Sequence, residues 1–145
     1  MKPLQVKANM KISKPIHDVF EGIVDPDQLS RYFTSSSSGR LDEGQTVTWR
    51  WADFGDAKAD VTVQKIVKDK YVSFRWGGPG AETSVEIALE PVAPAVTQVK
   101  IIEDGWEKDD HGIARLADNT FGWTDFLCCL KGYLEHGINL RHGAF

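Results

Sequence analysis

Residues 113–135, IARLADNTFGWTDFLCCLKGYLE, decide the fold. Leu116, Thr120, Trp123, Leu127, Leu130 and Leu134 recur at steps of three and four, which lays side chains along one face of an α-helix. At about 1.5 Å of rise per residue this helix is roughly 30 Å long, enough to cross several strands. Gly137 supplies a terminator just beyond it. Cys128 and Cys129 are the only cysteines, and being consecutive on the helix at most one faces the core. Neighbours cannot staple distant parts of a chain, and Cys-x-x-Cys spacing is absent, so reduced, inert thiols in a cytoplasmic protein are expected.

Upstream of the helix, from Gly44 to Gly105, the period falls to two. Val47, Trp49 and Trp51 share one face of a strand; Ala59, Val61 and Val63 begin the next, whose alternation slips near Lys65–Val67 as at a bulge. Val72, Phe74 and Trp76 alternate with Tyr71, Ser73 and Arg75, and Gly77-Gly78-Pro79-Gly80 reads as a turn. Val85, Ile87 and Leu89 follow, then a loop bracketed by Pro91 and Pro94, then a strand with Val99 and Ile101. Consecutive strands joined by turns form an antiparallel meander.

The first strand runs from Val6 to Ile12, and Pro15 opens a helix carrying Val19, Phe20, Ile23 and Val24. Asp25-Pro26 breaks it, a second short helix is expected to carry Leu29, Tyr32 and Phe33, and Ser35–Ser38 reads as a polar loop. The expected fold is therefore α+β: a curved antiparallel sheet of about six strands wrapped around the long C-terminal helix, with two short helices after the first strand. Residues 1–145 fit one domain of ordinary size.

Composition excludes several classes. Hydrophobic residues are 41% and charged residues 26%, ordinary for a folded chain. Lys plus Arg is 17 against 21 for Asp plus Glu, a net charge of −4 that argues against nucleic-acid binding. No run approaches the ~18–20 apolar residues of a membrane span, and Met1–Met10 has no apolar stretch with a cleavage site, so no secretory signal is expected.

Several pieces together resemble the START-like (SRPBCC) helix-grip superfamily, which includes birch-pollen-allergen-like proteins and polyketide cyclases. Within it the sequence is similar to the branch of the C-terminal domain of the activator of the 90-kDa heat-shock chaperone ATPase. The resemblance rests on Ile12-Ser13-Lys14-Pro15-Ile16-His17-Asp18-Val19-Phe20, on Asp25-Pro26-Asp27-Gln28-Leu29 with Tyr32-Phe33, and on Tyr71-Val72-Ser73-Phe74-Arg75-Trp76. Gly122-Trp123 with Leu127, Leu130, Tyr133 and Leu134 completes it. It implies a helix-grip fold with a cavity; members of the superfamily bind lipids, hormones or polyketides, and some catalyse cyclisation or hydrolysis.

One straight helix cannot seal a twisted, curved sheet along its whole length. The large side chains expected to face the gap are Trp49, Trp51, Phe74, Trp76, Phe121 and Trp123, each either core or pocket wall. Alternation from Val99 and Ile101 sends Glu103 to the same side at the strand's end, where it could anchor a ligand or act as acid or base. The competing expectation, the more economical one, is that it bends to solvent or pairs with Arg75 or Arg115. The other acids of that stretch, Asp104, Glu107, Asp109 and Asp110, lack EF-hand spacing and read as a solvated loop. His17, His111, His136 and His142 are scattered, and no nucleophile elbow, phosphate loop or dinucleotide fingerprint occurs. No catalytic set, metal or cofactor is assigned. The leading expectation is a small apolar or aromatic ligand enclosed between sheet and helix by Trp51, Phe74, Trp76, Glu103 and Trp123, with Phe33 closing the entrance. The alternatives are protein interaction with a chaperone or other partner, and a cyclase or hydrolase using Glu103 with Tyr32.

Overall fold

The computed structural model describes residues 4–145. The described chain runs β1 (Gln5–Ile12), α1 (Ile16–Val24), α2 (Pro26–Leu29), β2 (Ser36–Ser37), β3 (Thr46–Trp51), β4 (Ala57–Val67), β5 (Tyr71–Trp76), β6 (Thr83–Ala93), β7 (Val96–Asp104) and α3 (Asp110–His136). The strands form one open, wholly antiparallel sheet in the order β1-β7-β6-β5-β4-β3-β2. Meander neighbours pair in sequence order because short turns return the chain beside itself. β1 closes onto β7, while α1 and α2 carry the chain to the opposite edge. No helix of the described residues is long and apolar enough to cross a membrane.

Alternation drives the strands as expected. Val6 and Ala8 of β1, Val99 and Ile101 of β7, Val85 and Ile87 of β6, and Val72 and Phe74 of β5 are buried on one face, where α3 lies. Asp25 caps α2 by accepting from the Asp27 amide at 3.0 Å, with Pro26 as first helical residue. Asp109 caps α3 by accepting from the Gly112 amide at 2.8 Å, and Gly137, at φ 65°, ends it in the left-handed region.

Four expectations need correction. The serine run expected as a loop carries a short strand, β2, in which Ser36 and Ser37 pair with Arg50 and Trp49, and which brings the sheet of about six strands to seven. The second helix ends at Leu29, and Tyr32 and Phe33 lie in the following turns, where the Phe33 and Thr34 amides both return to the Leu29 carbonyl. Pro91 is inside β6 rather than in a loop; the strand tolerates it at a register shift between Pro91 and Ala93. The bulge in β4 sits between Val63 and Lys65, just ahead of its expected place.

The two ends of the trough differ. At one, α1 packs against the second half of α3, where Gly22 lies so near Leu130 that a Cβ there would stand 3.2 Å from Leu130 Cδ1, and the Tyr133 hydroxyl donates to Gln28 Oε1 of α2 at 3.3 Å. At the other, β5 stops at Trp76 while its neighbour β4 continues back to Ala57, so part of the sheet edge is unpaired.

Candidate functional site

Period-two alternation delivers large rings to one surface. Trp49 and Trp51 come from β3, Phe74 and Trp76 from β5, Trp123 and Phe126 from α3, and Phe33 from the turn after α2. Trp49 sits across from Ala59, whose small side chain leaves room for the indole. The rings meet edge to face: Trp49–Phe74 at 5.6 Å and 71°, Phe74–Trp76 at 5.7 Å and 81°, Phe33–Trp49 at 5.7 Å and 87°. Such pairs add about 0.5–1.5 kcal/mol each beyond burial. Trp49, Phe74, Trp123 and Phe126 are buried, while Phe33, Trp51 and Trp76 are half-buried at the rim.

Glu103 holds the rim together. Its carboxylate is 0% exposed and accepts four hydrogen bonds. Trp76 Nε1 and Thr83 Oγ1 donate to one oxygen at 2.8 and 2.5 Å. Asn119 Nδ2 and Trp123 Nε1 donate to the other at 2.9 and 2.7 Å. Register explains the gathering: Glu103 faces Val85 across the β6–β7 ladder, and Thr83 pairs with Trp76 one step away. Neither solvent nor Arg75 or Arg115 takes this carboxylate, so the expectation that it turns outward is corrected. Arg75 bonds Glu82 and Ser84 instead. With four neutral donors on a buried carboxylate, Glu103 fixes two indoles and an amide rather than presenting a free oxygen.

Three half-open clefts lie at the rim. One of about 510 Å³ lies where β5 ends, walled by Trp51, Trp76, Trp106, Arg115 and Asn119 and by the unpaired edge of β4 around Ala59. Another, of about 170 Å³, lies between α3 and the rim, among Phe33, Trp51, Trp76, Asn119, Trp123 and Arg141. A third, of about 150 Å³, touches Phe33, Trp51, Phe54 and Arg141. Among the expected ligand residues, Phe33, Trp51, Trp76 and Trp123 therefore line openings. Phe74 and Glu103 line none of these three and stand behind the rim.

Phe121, expected to face the gap, is 62% exposed on the far side of α3, and Thr120 is exposed with its hydroxyl donating to the Leu116 carbonyl. Phe126 takes the inward place. Its position three residues after Trp123 and four before Leu130 was the signal for it. Trp106 and Arg141 had no periodic signal, since both lie outside the strands and helices. Tyr32 does not converge with Glu103: it is buried, and its hydroxyl donates to the Gly22 carbonyl at 2.8 Å. Burial pushes its phenol well above the ordinary value. Burial, with the Asp125 carboxylate beside it, likewise pushes the Cys129 thiol up to about 11, while Cys128 is exposed. The indole nitrogens of Trp49 and Trp51 are buried without an acceptor.

Among known proteins, the model of the family described as Activator of Hsp90 ATPase homolog 1-like protein matches residues 13–135. No curated protein matches the chain. Solved structures do. SSP2350 from Staphylococcus saprophyticus is 29% identical, with 94% of this chain and 96% of that one covered at a TM-score of 0.81. The Aha1 dimer from Colwellia psychrerythraea is 25% identical, with 92% and 97% covered at 0.78. DynU16, described as a putative protein in the dynemicin biosynthetic locus, is 24% identical at 0.81; 94% of this chain but only 49% of that one is covered, and the likeness shows the fold alone.

Proposed function

The chain belongs to the Activator of Hsp90 ATPase homolog 1-like family, and from that premise we propose that it binds a small molecule with an aromatic or apolar body at the rim between α3 and strands β3 to β5. The observation that carries this reading is the set of half-buried indoles, Trp51, Trp76 and Trp106, around a cleft of about 510 Å³. Binding there would strip water from ring faces already fixed in place. Preorganisation lowers the ordering cost of association, and Glu103 supplies it for Trp76 and Trp123. The enclosed site of the sequence reading becomes a site at the rim, because Trp49, Phe74 and Phe126 fill the interior. Free thiols at Cys128 and Cys129 support a cytoplasmic setting.

The test is a fluorescence titration with the neutral probe 1-naphthylacetamide, alongside native mass spectrometry of freshly purified protein for a retained ligand. Trp51→Ala is expected to weaken probe binding about tenfold while leaving the protein folded, with a stability loss of about 1–3 kcal/mol from its edge contacts to Phe33 and Trp49. Equal affinity in wild type and variant would remove the site from the rim.

A second reading, protein docking, is supported by grouped exposed rings: Phe145 lies 5.9 Å from Phe54 and 6.0 Å from Phe121. Sedimentation at increasing concentration tests self-association, and a pull-down against an Hsp90 chaperone tests the partner the family name suggests. Each is repeated with Phe121→Ser and Phe145→Ser, which should abolish any association seen.

A further inference from the structure

The segment after α3 returns across the molecule and places one guanidinium against the rim. Gly137 turns the chain at φ 65°, and Leu140 then packs so closely on α3 that a Cβ at Gly132 would lie 2.8 Å from Leu140 Cδ1. Asn139 Oδ1 accepts from the Arg141 and His142 amides at 3.1 Å each, fixing the turn. Arg141 is thereby held with its guanidinium carbon 5.1 Å from the centroid of Phe33 and 5.2 Å from that of Phe54. Its side chain is 19% exposed and lines the 170 Å³ cleft.

The hydrogen bonding there is unbalanced toward donors. A guanidinium carries five N–H groups in a planar fork. Among the described residues, the Arg141 side chain donates through Nη1 to Asp125 Oδ2 at 3.2 Å and makes no other hydrogen bond. Trp51, in the same cleft wall, has a buried indole N–H with no acceptor. That N–H is shut off from the cleft and offers nothing to a ligand, whereas the unpaired N–H groups of the partly exposed Arg141 leave a place for an acceptor. The other walls are the rings of Phe33, Trp76 and Trp123, with Asn119 and Gly122 beside them.

Resting on the binding reading above, we propose that the ligand is an aromatic or apolar monocarboxylate whose carboxylate is held by Arg141. The guanidinium fork matches a planar carboxylate. Asp125 already offsets part of the positive charge, which favours one negative charge over the two of a phosphate monoester. Trp51, Trp76 and Asn119 wall both this cleft and the larger one, so a ring system anchored at Arg141 has indole faces to lie against.

The experiment compares 1-naphthylacetate with its neutral isostere 1-naphthylacetamide by calorimetry at pH 7. The acid is expected to bind about tenfold more tightly to the wild type. Arg141→Gln should bring that ratio near one, the acid losing about tenfold more affinity than the amide, whose neutral carbonyl forgoes only a single bond rather than an ion pair. Arg141→Lys, which keeps charge and loses the fork, should fall between. Asp125→Asn, which frees the guanidinium, should raise the acid preference a few-fold. A wild type that binds both probes equally, or a ratio indifferent to Arg141→Gln, would overturn the carboxylate assignment and leave the rim site standing. Binding of neither probe would overturn both. Unchanged urea midpoints in the variants separate lost anchoring from lost folding.

Discussion

The two halves of α3 share one helix and one sheet, yet they do opposite things. From Trp123 onward Phe126, Leu127, Cys129 and Leu130 are buried, and the polar groups tie the helix to its surroundings. Lys131 Nζ donates to the Lys11 carbonyl at 2.7 Å, and Glu135 accepts from the Ser13 amide at 2.9 Å. Before Trp123 the helix carries exposed Ile113 and Phe121, and its side-chain hydrogen bond to the sheet is the one from Asn119 to Glu103. The difference comes from what the helix lies on. Under its second half the sheet is complete and α1 adds a further layer; under its first half β5 has ended. A twisted sheet crossed by a straight rod is sealed where other elements fill the angle and stays open where none does. Burial is concentrated in one half, and the other presents a surface.

That contrast is broken first by truncating one ring from each half. Phe126→Ala should destabilise by about 3–5 kcal/mol, as emptied core ring sites do. Phe121→Ala should stay within about 0.5 kcal/mol, as surface changes do. Comparable urea midpoints for the two would show that the halves are alike. Next in size is Glu103→Gln, which puts an amide NH₂ where an oxygen accepted two hydrogen bonds. A loss of about 1–3 kcal/mol is expected, together with altered tryptophan fluorescence because Trp76 and Trp123 lose their anchor. A variant as stable as the wild type with the same spectrum would remove Glu103 from its role.

The smallest effect sharpens the sealed half alone. Lys131 and the Ser13 amide hold Glu135 below the usual carboxylate range, and Arg40 does the same for Glu21 through a fork at 2.8 and 2.7 Å. A lowered folded-state value means that the stabilisation is fully present above the unfolded value of about 4.3 and is lost as pH falls through the folded one. Acid titration of stability below about pH 5 should therefore flatten in Glu135→Gln, by under about 1 kcal/mol because the pair is partly solvated. An unchanged slope would show the tie to be idle.

How much of this could be read in the sequence follows the same division. The strands were legible because each alternates over five or more residues; β2 was not, since two serines carry no period and are recruited only by Trp49 and Arg50 across from them. The stripe along α3 was right from Trp123 and half right before it, where Leu116 packs half-buried on the core but Thr120 is exposed. Thr120 fits the spacing, yet spacing cannot tell which side chains at the open end of a helix reach solvent. For Glu103 alternation gave the side but not the partners, because its donors come from β5, β6 and α3 and converge only in space. Arg141 was illegible, being set by Gly132, Gly137 and a turn after the helix.

The most direct measurement is a ¹H–¹⁵N titration of the tryptophan indoles with 1-naphthylacetamide. Resonances of Trp51, Trp76 and Trp123 should move progressively while the backbone amides of Leu127 to Lys131 stay in place. Movement of those amides with the three indoles unmoved, or no movement anywhere, would contradict an open rim beside a sealed end.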